Sequence, residues 1–332
     1  MRPPRFWNRG SKWHPLALAA FPLSLIWAAA TARRLRQGPW EALPVPVLCV
    51  GNINAGGTGK TPTVIALAGL LAARGPQVHV VSRGFGGTED GPLKVNEQTH
   101  TAAQVGDEPL LMAAFCPTWV AKDRAAGARA AIEAGAEVIL LDDGFQNPAL
   151  KKDLSFIVID AEVGFGNGHV MPAGPLREPL KIGLARGDVL LSIGIAQAQE
   201  KLTQRWPQTI GKPRLQAALK PLQMGMDWQG QRVVAFAGIG RPGKFFSTLK
   251  GEGAEIVATH AFSDHAPYTN AILHRLLKES RQKNAQLVTT EKDATRLPAS
   301  FRREVISLPV RLEFEDETQL EDIMKKAGIN LS

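Results

Sequence analysis

An α/β fold, with a parallel sheet covered by helices on both faces, is predicted by three features of this 332-residue chain. From residue 45 onward, short β-branched apolar runs alternate with Ala- and Leu-rich helical stretches. A glycine-rich turn lies between the first of those strands and the first of those helices. At roughly 150 residues per domain the length suits about two domains, so a second, smaller α/β lobe is expected beside the first.

Residues 1–40 read as a separate unit. The stretch 15–30, PLALAAFPLSLIWAAA, is apolar, interrupted by Pro22 and flanked by cations. Seven basic residues (Arg2, Arg5, Arg9, Lys12, Arg33, Arg34 and Arg36) precede the first acid, Glu41. Trp7, Trp13, Trp27 and Trp40 also fall there. A helix of about fifteen residues from Leu16 extends about 22 Å, short of the ~30 Å hydrocarbon core. Indole rings and cations beside a short apolar helix suit a membrane interface, which is the favoured reading. A cleaved signal peptide shares the outline, with Ala30-Thr31-Ala32 as its small-residue site. A helix docked on the core is the third reading.

The net charge of +8 is concentrated in this front segment, and the rest of the chain is close to neutral. A general nucleic-acid-binding face is therefore excluded, and no nucleic-acid partner is expected. With 44% hydrophobic and 21% charged residues, a disordered chain is excluded too. No uninterrupted apolar run reaches the ~18–20 residues of a spanning helix, which argues against a polytopic membrane protein. Cys49 and Cys116 are too few for a disulfide framework or a cysteine-based zinc site, and are compatible with a reducing compartment.

Strands are expected at 45–50, 78–82, 118–121, 138–142, 156–160 and 189–192, then at 233–237, 256–261, 287–290 and 305–312. Helices are expected at 61–74, 123–134, 242–250 and 270–283. A boundary near 221–230 divides a phosphate-loop domain, 41–220, from a C-terminal α/β domain, 221–332. The stretches 214–220 and 310–315 read as extended connectors between the lobes.

The most informative segment is the one spelling VPVLCVGNINAGGTGKTP from residue 45. A hydrophobic strand runs into Asn54, Ala55, Gly56, Gly57, Thr58, Gly59, Lys60 and Thr61, and a helix follows. Glycines let backbone amides curl around phosphate oxygens, and the helix N-terminus adds its positive end. This is a P-loop NTPase-like arrangement. Lys60 would reach the β- and γ-phosphates of ATP, and the Thr61 hydroxyl would sit on Mg²⁺. The strict pattern wants glycine at position 54, where this chain has Asn54. A second acid for the metal comes from Asp142 or Asp143, at the end of the strand Val138-Ile-Leu-Leu.

Seven segments in order then carry a resemblance: GNINAGGTGKTP, SRGFGG (82–87), VGDEPLLMA (105–113), LDDGFQN (141–147), MPAGPLREP (171–179), FSDHAPY (262–268) and TTEKDATRL (289–297). Together they resemble the tetraacyldisaccharide 4′-kinases, the lipid A kinases of Gram-negative bacteria, over nearly the whole chain. The resemblance implies transfer of the γ-phosphoryl group of ATP to the 4′-hydroxyl of an acylated glucosamine disaccharide 1-phosphate. The product is lipid IV-A, made at the cytoplasmic face of the inner membrane. No obligate protein partner is expected.

On its own chemistry Asp107 reads as a helix cap and His265 as a structural histidine. The resemblance implies instead that Asp107 is the catalytic base and His265 the partner that polarises it, meeting across two lobes. Lys60 joins them as a catalytic cation. Arg83, just after a strand, is placed to bind phosphate at the strand C-termini. Gln146 is implied to order the metal or the attacking group. Arg177 and Glu178 are implied near the nucleotide, with a structural ion pair as the alternative. For the turn Thr290-Glu291-Lys292-Asp293 the chemistry selects no role. Asn147, Ala266 and Phe85 depart from the family pattern, so no role is carried to them. A membrane-associated regulatory P-loop ATPase is the rival reading; such loops carry a lysine where this chain has Ala55.

Overall fold

A computed structural model describes residues 4–7, 13–209, 211–222 and 225–331. Arg2, Arg9 and Lys12 of the basic front segment lie outside the described residues. Nine strands form the larger sheet: β1 (Val47–Gly51), β2 (Val78–Ser82), β3 (Leu93–Lys94), β4 (Thr118–Val120), β5 (Val138–Asp142), β6 (Leu154–Asp160), β7 (Val189–Ile193), β8 (Arg214–Pro221) and β13 (Val310–Phe314). Their order is β13-β8-β7-β6-β1-β5-β2-β4-β3, parallel except for the two edge strands.

Strand β1 is buried along its whole length, as a parallel strand covered on both faces must be. Its residues alternate between two cores. Leu48 and Val50 pack with Val64, Leu67 and Leu71, while Val47 and Cys49 pack with Ile139, Leu141 and Phe145 on the other face. Helix α2 (Lys60–Ala73) returns across the sheet, burying Val64, Leu67, Ala68 and Leu71 at helical spacing.

The smaller sheet contains β9 (Arg232–Ala237), β10 (Glu255–Ala261), β11 (Gln286–Thr290) and β12 (Val305–Leu308), in the parallel order β10-β9-β11-β12. Its faces are again covered on both sides, by clusters around Phe245 and Leu249 and around Tyr268, Leu273 and Leu276. These strands lie in the chain between β8 and β13.

The expected division at residue 221 is therefore corrected at its far end. The run 305–312 is two strands in two sheets, broken at Pro309, which has no N–H for a ladder. Strand β13 pairs antiparallel with β8, from Val310 opposite Pro221 to Phe314 opposite Ala217. The stretches expected as extended connectors between the lobes also pair with each other as an edge ribbon of the larger sheet. The helix Glu317–Lys326 follows and buries Leu320 and Met324 in the α2-side core. Short helices at Asp107–Ala113 and Leu180–Arg186 also appear; two turns are too few for periodicity to reveal.

The N-terminal helix α1 (Pro15–Arg36) is longer than expected, running through Pro22 for 22 residues. At 1.5 Å per residue it extends about 33 Å, long and apolar enough to cross a membrane by length and composition. A narrow stripe, Ala17, Ser24, Thr31 and Leu35, is buried against the protein. Ser24 Oγ donates to the Val170 carbonyl (2.7 Å) and accepts from Ala173 N (3.1 Å), and Trp27 Nε1 donates to the Arg177 carbonyl (3.1 Å). Leu16, Leu23, Leu25 and Ile26 remain more than half exposed. The helix is docked on one stripe and apolar on its free face.

Because Leu320 lies fully inside the larger core, Leu320→Ala is expected to cost about 2–5 kcal/mol of unfolding free energy in urea titration. A helix merely appended to the small lobe would lose far less.

Candidate active site

The loop after β1 opens at the carboxyl ends of the parallel strands, where β5 and β6 flank β1 on opposite sides, the place such sheets hold ligands. Gly56 and Gly59 take left-handed backbone conformations (φ 111° and 97°), which glycine adopts without strain. A Cβ on Gly59 would also lie 2.5 Å from Ile193 Cδ1. Residues Gly56–Thr61 line a cleft of about 1530 Å³ between the lobes. Asn54 and Ala55 do not. The Asn54 amide donates to the Gly164 carbonyl (2.8 Å), and Ala55 N donates to the Pro175 carbonyl (2.7 Å). These two bonds anchor the loop from outside. Asn52, which sequence reasoning passed over, braces the loop from within by donating to Thr58 Oγ1 (3.0 Å).

Asp142 and Asp143 end β5 beneath this loop, and their surroundings separate them. Asp143 receives both guanidinium nitrogens of Arg177 (2.7 and 3.1 Å) and lies 3.7 Å from Lys60 Nζ. Burial alone would raise its pKa, but Lys60 and Arg177 win and hold it at about 2. Asp142 accepts from Ser82 Oγ (2.8 Å) through Oδ2, while its buried Oδ1 has no partner. Burial, then the charges of Glu108 and Asp143, push it up to about 6.

Among the described residues no three His, Cys, Asp or Glu side chains form a metal cage. An orphaned carboxylate oxygen on a residue that lines the same cleft as Thr61 and the phosphate loop nevertheless suits Mg²⁺, which takes few protein oxygens and completes its shell with phosphate and water. The donor set fits the metal, with Thr61 and Asp142 as the groups that would hold it.

Gln146 and Glu178 form a brace. Gln146 Nε2 donates to the Asn52 carbonyl (2.8 Å) and to Glu178 Oε1 (2.9 Å), and its Oε1 accepts from Arg177 (3.1 Å). Glu178 is fully buried, outside the cleft lining, and paired with Arg186 at 2.7 Å. Arg177 pairs instead with Asp143. Arg83 is exposed and lines the cleft.

Asp107 and His265, 158 residues apart, meet across the lobes. His265 Nδ1 lies 2.9 and 3.1 Å from the two Asp107 carboxylate oxygens. His265 is held in the left-handed region (φ 58°), its own N–H donating to the Gly238 carbonyl (3.2 Å) and its ring edge-on to Phe85 at 5.5 Å. The Asp107 side chain is 4% exposed and the His265 ring 31%; only the ring lines the cleft. Burial opposes the Asp107 charge, but the His265 hydrogen bond and the charges of Lys292 and Arg296 hold its pKa below the ordinary value. Glu108, Asp264, Lys292 and Arg296 complete this corner. Only the adjacency of Glu108 to Asp107 could have flagged the first of them.

The cleft continues from the phosphate loop to Trp27, Thr31 and Arg34 of α1. On its other wall, Arg241 joins Asp160 (2.5 Å) and Glu162 (2.6 Å), and Lys244 joins Asp160 (2.8 Å).

Comparison with known proteins agrees with this architecture. The family described as tetraacyldisaccharide-1-P 4′-kinase matches residues 16–328. The chain is similar to the tetraacyldisaccharide 4′-kinase of Dinoroseobacter shibae, with 60% identity over 324 residues and 96% of each chain covered. It is 56% identical over 326 residues to that of Jannaschia sp., covering 98% of this chain and 99% of the relative. Its fold is similar to that of LpxK from Aquifex aeolicus in complex with ATP, with a TM-score of 0.75 and 28% identity over 94% of this chain and 99% of that one. Matched along nearly its full length by sequence and by fold, the chain belongs to the tetraacyldisaccharide-1-P 4′-kinase family.

Proposed function

We propose that this protein transfers the γ-phosphoryl group of ATP to the 4′-hydroxyl of an acylated glucosamine disaccharide 1-phosphate, a step of lipid A synthesis, at a membrane surface. One observation carries the reading. The His265 ring, bonded from behind to the buried Asp107, lines the same cleft as Lys60 and the phosphate loop, and that cleft runs on to the apolar helix α1. An acid–base pair, a triphosphate cradle and a lipid-facing wall then share one space.

The amides of Gly57–Thr61 and the Lys60 ammonium would hold the triphosphate and take up charge as the γ-phosphoryl group leaves. Mg²⁺, when bound, neutralises the β- and γ-phosphate oxygens. Thr61 Oγ1 and Asp142 Oδ1 are the groups that would hold it, and Asp143 instead fixes Lys60 and Arg177. Arg83, exposed at the end of β2, is available to a phosphate oxygen.

For the acceptor hydroxyl the geometry favours a reversal of the expected roles. Asp107 lies beneath the cleft surface and its ionised form is stabilised, which makes it a weak base. His265 reaches the cleft with Nδ1 bound to Asp107 and with Nε2 3.7 Å from Asp264 Oδ1, beyond hydrogen-bond distance, so that Nε2 would receive the proton of the 4′-hydroxyl. The carboxylate then stabilises the imidazolium and fixes its orientation. Sequence expectation had Asp107 take the proton; the imidazole is the better placed member of the pair.

The free face of α1 would enter the lipid interface while its docked stripe keeps the cleft beside the membrane. Use of ATP supports a place on the cytoplasmic face of the inner membrane.

Three outcomes test the reading. Asp107→Asn is expected to lower kcat at least 100-fold with labelled ATP and the disaccharide monophosphate, leaving the Kd for ATP within threefold. Asp142→Asn should raise the Mg²⁺ concentration for half-maximal activity more than tenfold. The double change Leu23→Glu and Ile26→Glu should weaken co-sedimentation with anionic vesicles at least tenfold, with ATP binding unchanged.

A further inference from the structure

We propose that Lys292 is a positioning residue of the phosphoryl transfer, whose ammonium clamps Glu108 across the cleft and thereby seats Asp107 against His265. This rests on the kinase reading above and extends it to the 289–297 segment, for which sequence chemistry selected no role.

The segment is built as a rigid platform. Thr290 caps the one-turn helix Glu291–Ala294, its hydroxyl accepting from Asp293 N (3.1 Å) and donating to Asp293 Oδ2 (2.6 Å). Asp293 is fully buried. Its Oδ1 accepts from Gly238 N (2.9 Å), from Tyr268 Oη (2.6 Å) and from Arg296. Arg296 in turn donates to the carbonyls of Ala266 (2.9 Å) and Gly238 (2.8 Å). Residues 238 and 266 flank the position of His265 in space, and the His265 N–H itself binds the Gly238 carbonyl. One carboxylate therefore ties the lysine-bearing turn to the histidine-bearing loop, and the two move as a unit.

From that platform three groups face the larger lobe. His265 meets Asp107, Arg296 Nε lies 3.7 Å from Asp107 Oδ2, and Lys292 Nζ lies 2.7 Å from Glu108 Oε1. Lys292 also stands 3.9 Å from Asp264. Asp107 and Glu108 are consecutive in the first turn of the helix Asp107–Ala113, so fixing one carboxylate fixes the backbone that carries the other. The Lys292–Glu108 pair is largely shielded from water, with side chains 18% and 26% exposed, and lines the cleft. An ion pair in that setting holds its geometry better than one on an open surface. The Lys292 charge also favours ionised Glu108 and Asp107, against the burial that opposes both. Without Lys292, Glu108 would lose this ion pair across the cleft, and the turn that carries Asp107 would lose a tie to the platform.

The test compares Lys292→Met with Lys292→Arg, using ATP, Mg²⁺ and the tetraacyl disaccharide monophosphate in detergent micelles. Lys292→Met is expected to lower kcat at least 30-fold with the KM for ATP within threefold, and Lys292→Arg to recover activity to within fivefold of wild type. A folded Lys292→Met that keeps kcat within threefold overturns the proposal, as does a loss carried by the KM for ATP. If Lys292→Met does not fold, Glu108→Gln decides: a tenfold loss of kcat at unchanged ATP KM supports the clamp, and wild-type turnover overturns it. Wild-type protein that phosphorylates no glycolipid overturns the kinase reading itself; an active wild type with an equally active Lys292→Met overturns only the clamp.

Discussion

Hydrogen bonding of β1 to β5 on one side and to β6 on the other fixes where phosphate can be held. The register sets Val50 beside Asp142 and Gly51 beside Ile157, so the turn that follows β1 and the acid that ends β5 arrive at one level. Both faces of β1 are packed, and a slip of one residue would exchange Leu48 and Val50 with Val47 and Cys49 between two filled cores. The start of α2, the brace from Asn52 to Thr58 and the outer anchor through Asn54 all follow from that register. The phosphate loop is as rigid as the sheet behind it.

Ion pairs cross the cleft at two corners. The larger lobe presents Asp107 and Glu108 at one corner and Asp160 and Glu162 at another. The small lobe answers with His265, Lys292 and Arg296 at the first and with Arg241 and Lys244 at the second. Two independent sets of ion pairs hold the lobes over the phosphate loop, and between them a Cβ built on Gly240 would come within 3.4 Å of Gly57 N. A triphosphate entering this space meets cations from both lobes. The β8–β13 ribbon, with Leu222 N bonded to the Pro309 carbonyl (2.9 Å), joins the lobes at their base. The small lobe is thus tied to the larger sheet at both of its chain ends.

Helix α1 reconciles two demands. Ser24 both donates to and accepts from the 170–173 backbone, which anchors the helix without spending apolar surface. Leucine and isoleucine are left to the free face, where water gives them no favourable contact. Trp27 is bonded to the Arg177 carbonyl, one residue from the brace of Gln146 and Glu178. The apolar helix is therefore connected by short bonds to the residues that steady the phosphate-loop cleft.

The strand–loop–helix at 47–73, the acid pair and nearly every strand were legible in the sequence, because covered parallel strands write themselves as unbroken apolar runs and a phosphate loop needs glycines at close spacing. Those signals are local. The residue kinds at 107 and 265 could be named from motif order, but their bond, the burial of the carboxylate and the exposure of the ring depend on a contact 158 positions long. The protein partners of Asn54, Ala55 and Glu178, namely Gly164, Pro175 and Arg186, come from chain that the motif carrying each residue does not contain. The return of β13 to the larger sheet is equally hidden, since an edge strand and a connector read alike until a neighbour supplies the hydrogen bonds. The sequence by itself determined the α/β class, the phosphate loop and the inventory of reactive groups, each a matter of side-chain size and backbone freedom at neighbouring positions. Only the tertiary structure decided which of those groups face the cleft and which brace it, because that depends on burial and on partners drawn from distant parts of the chain.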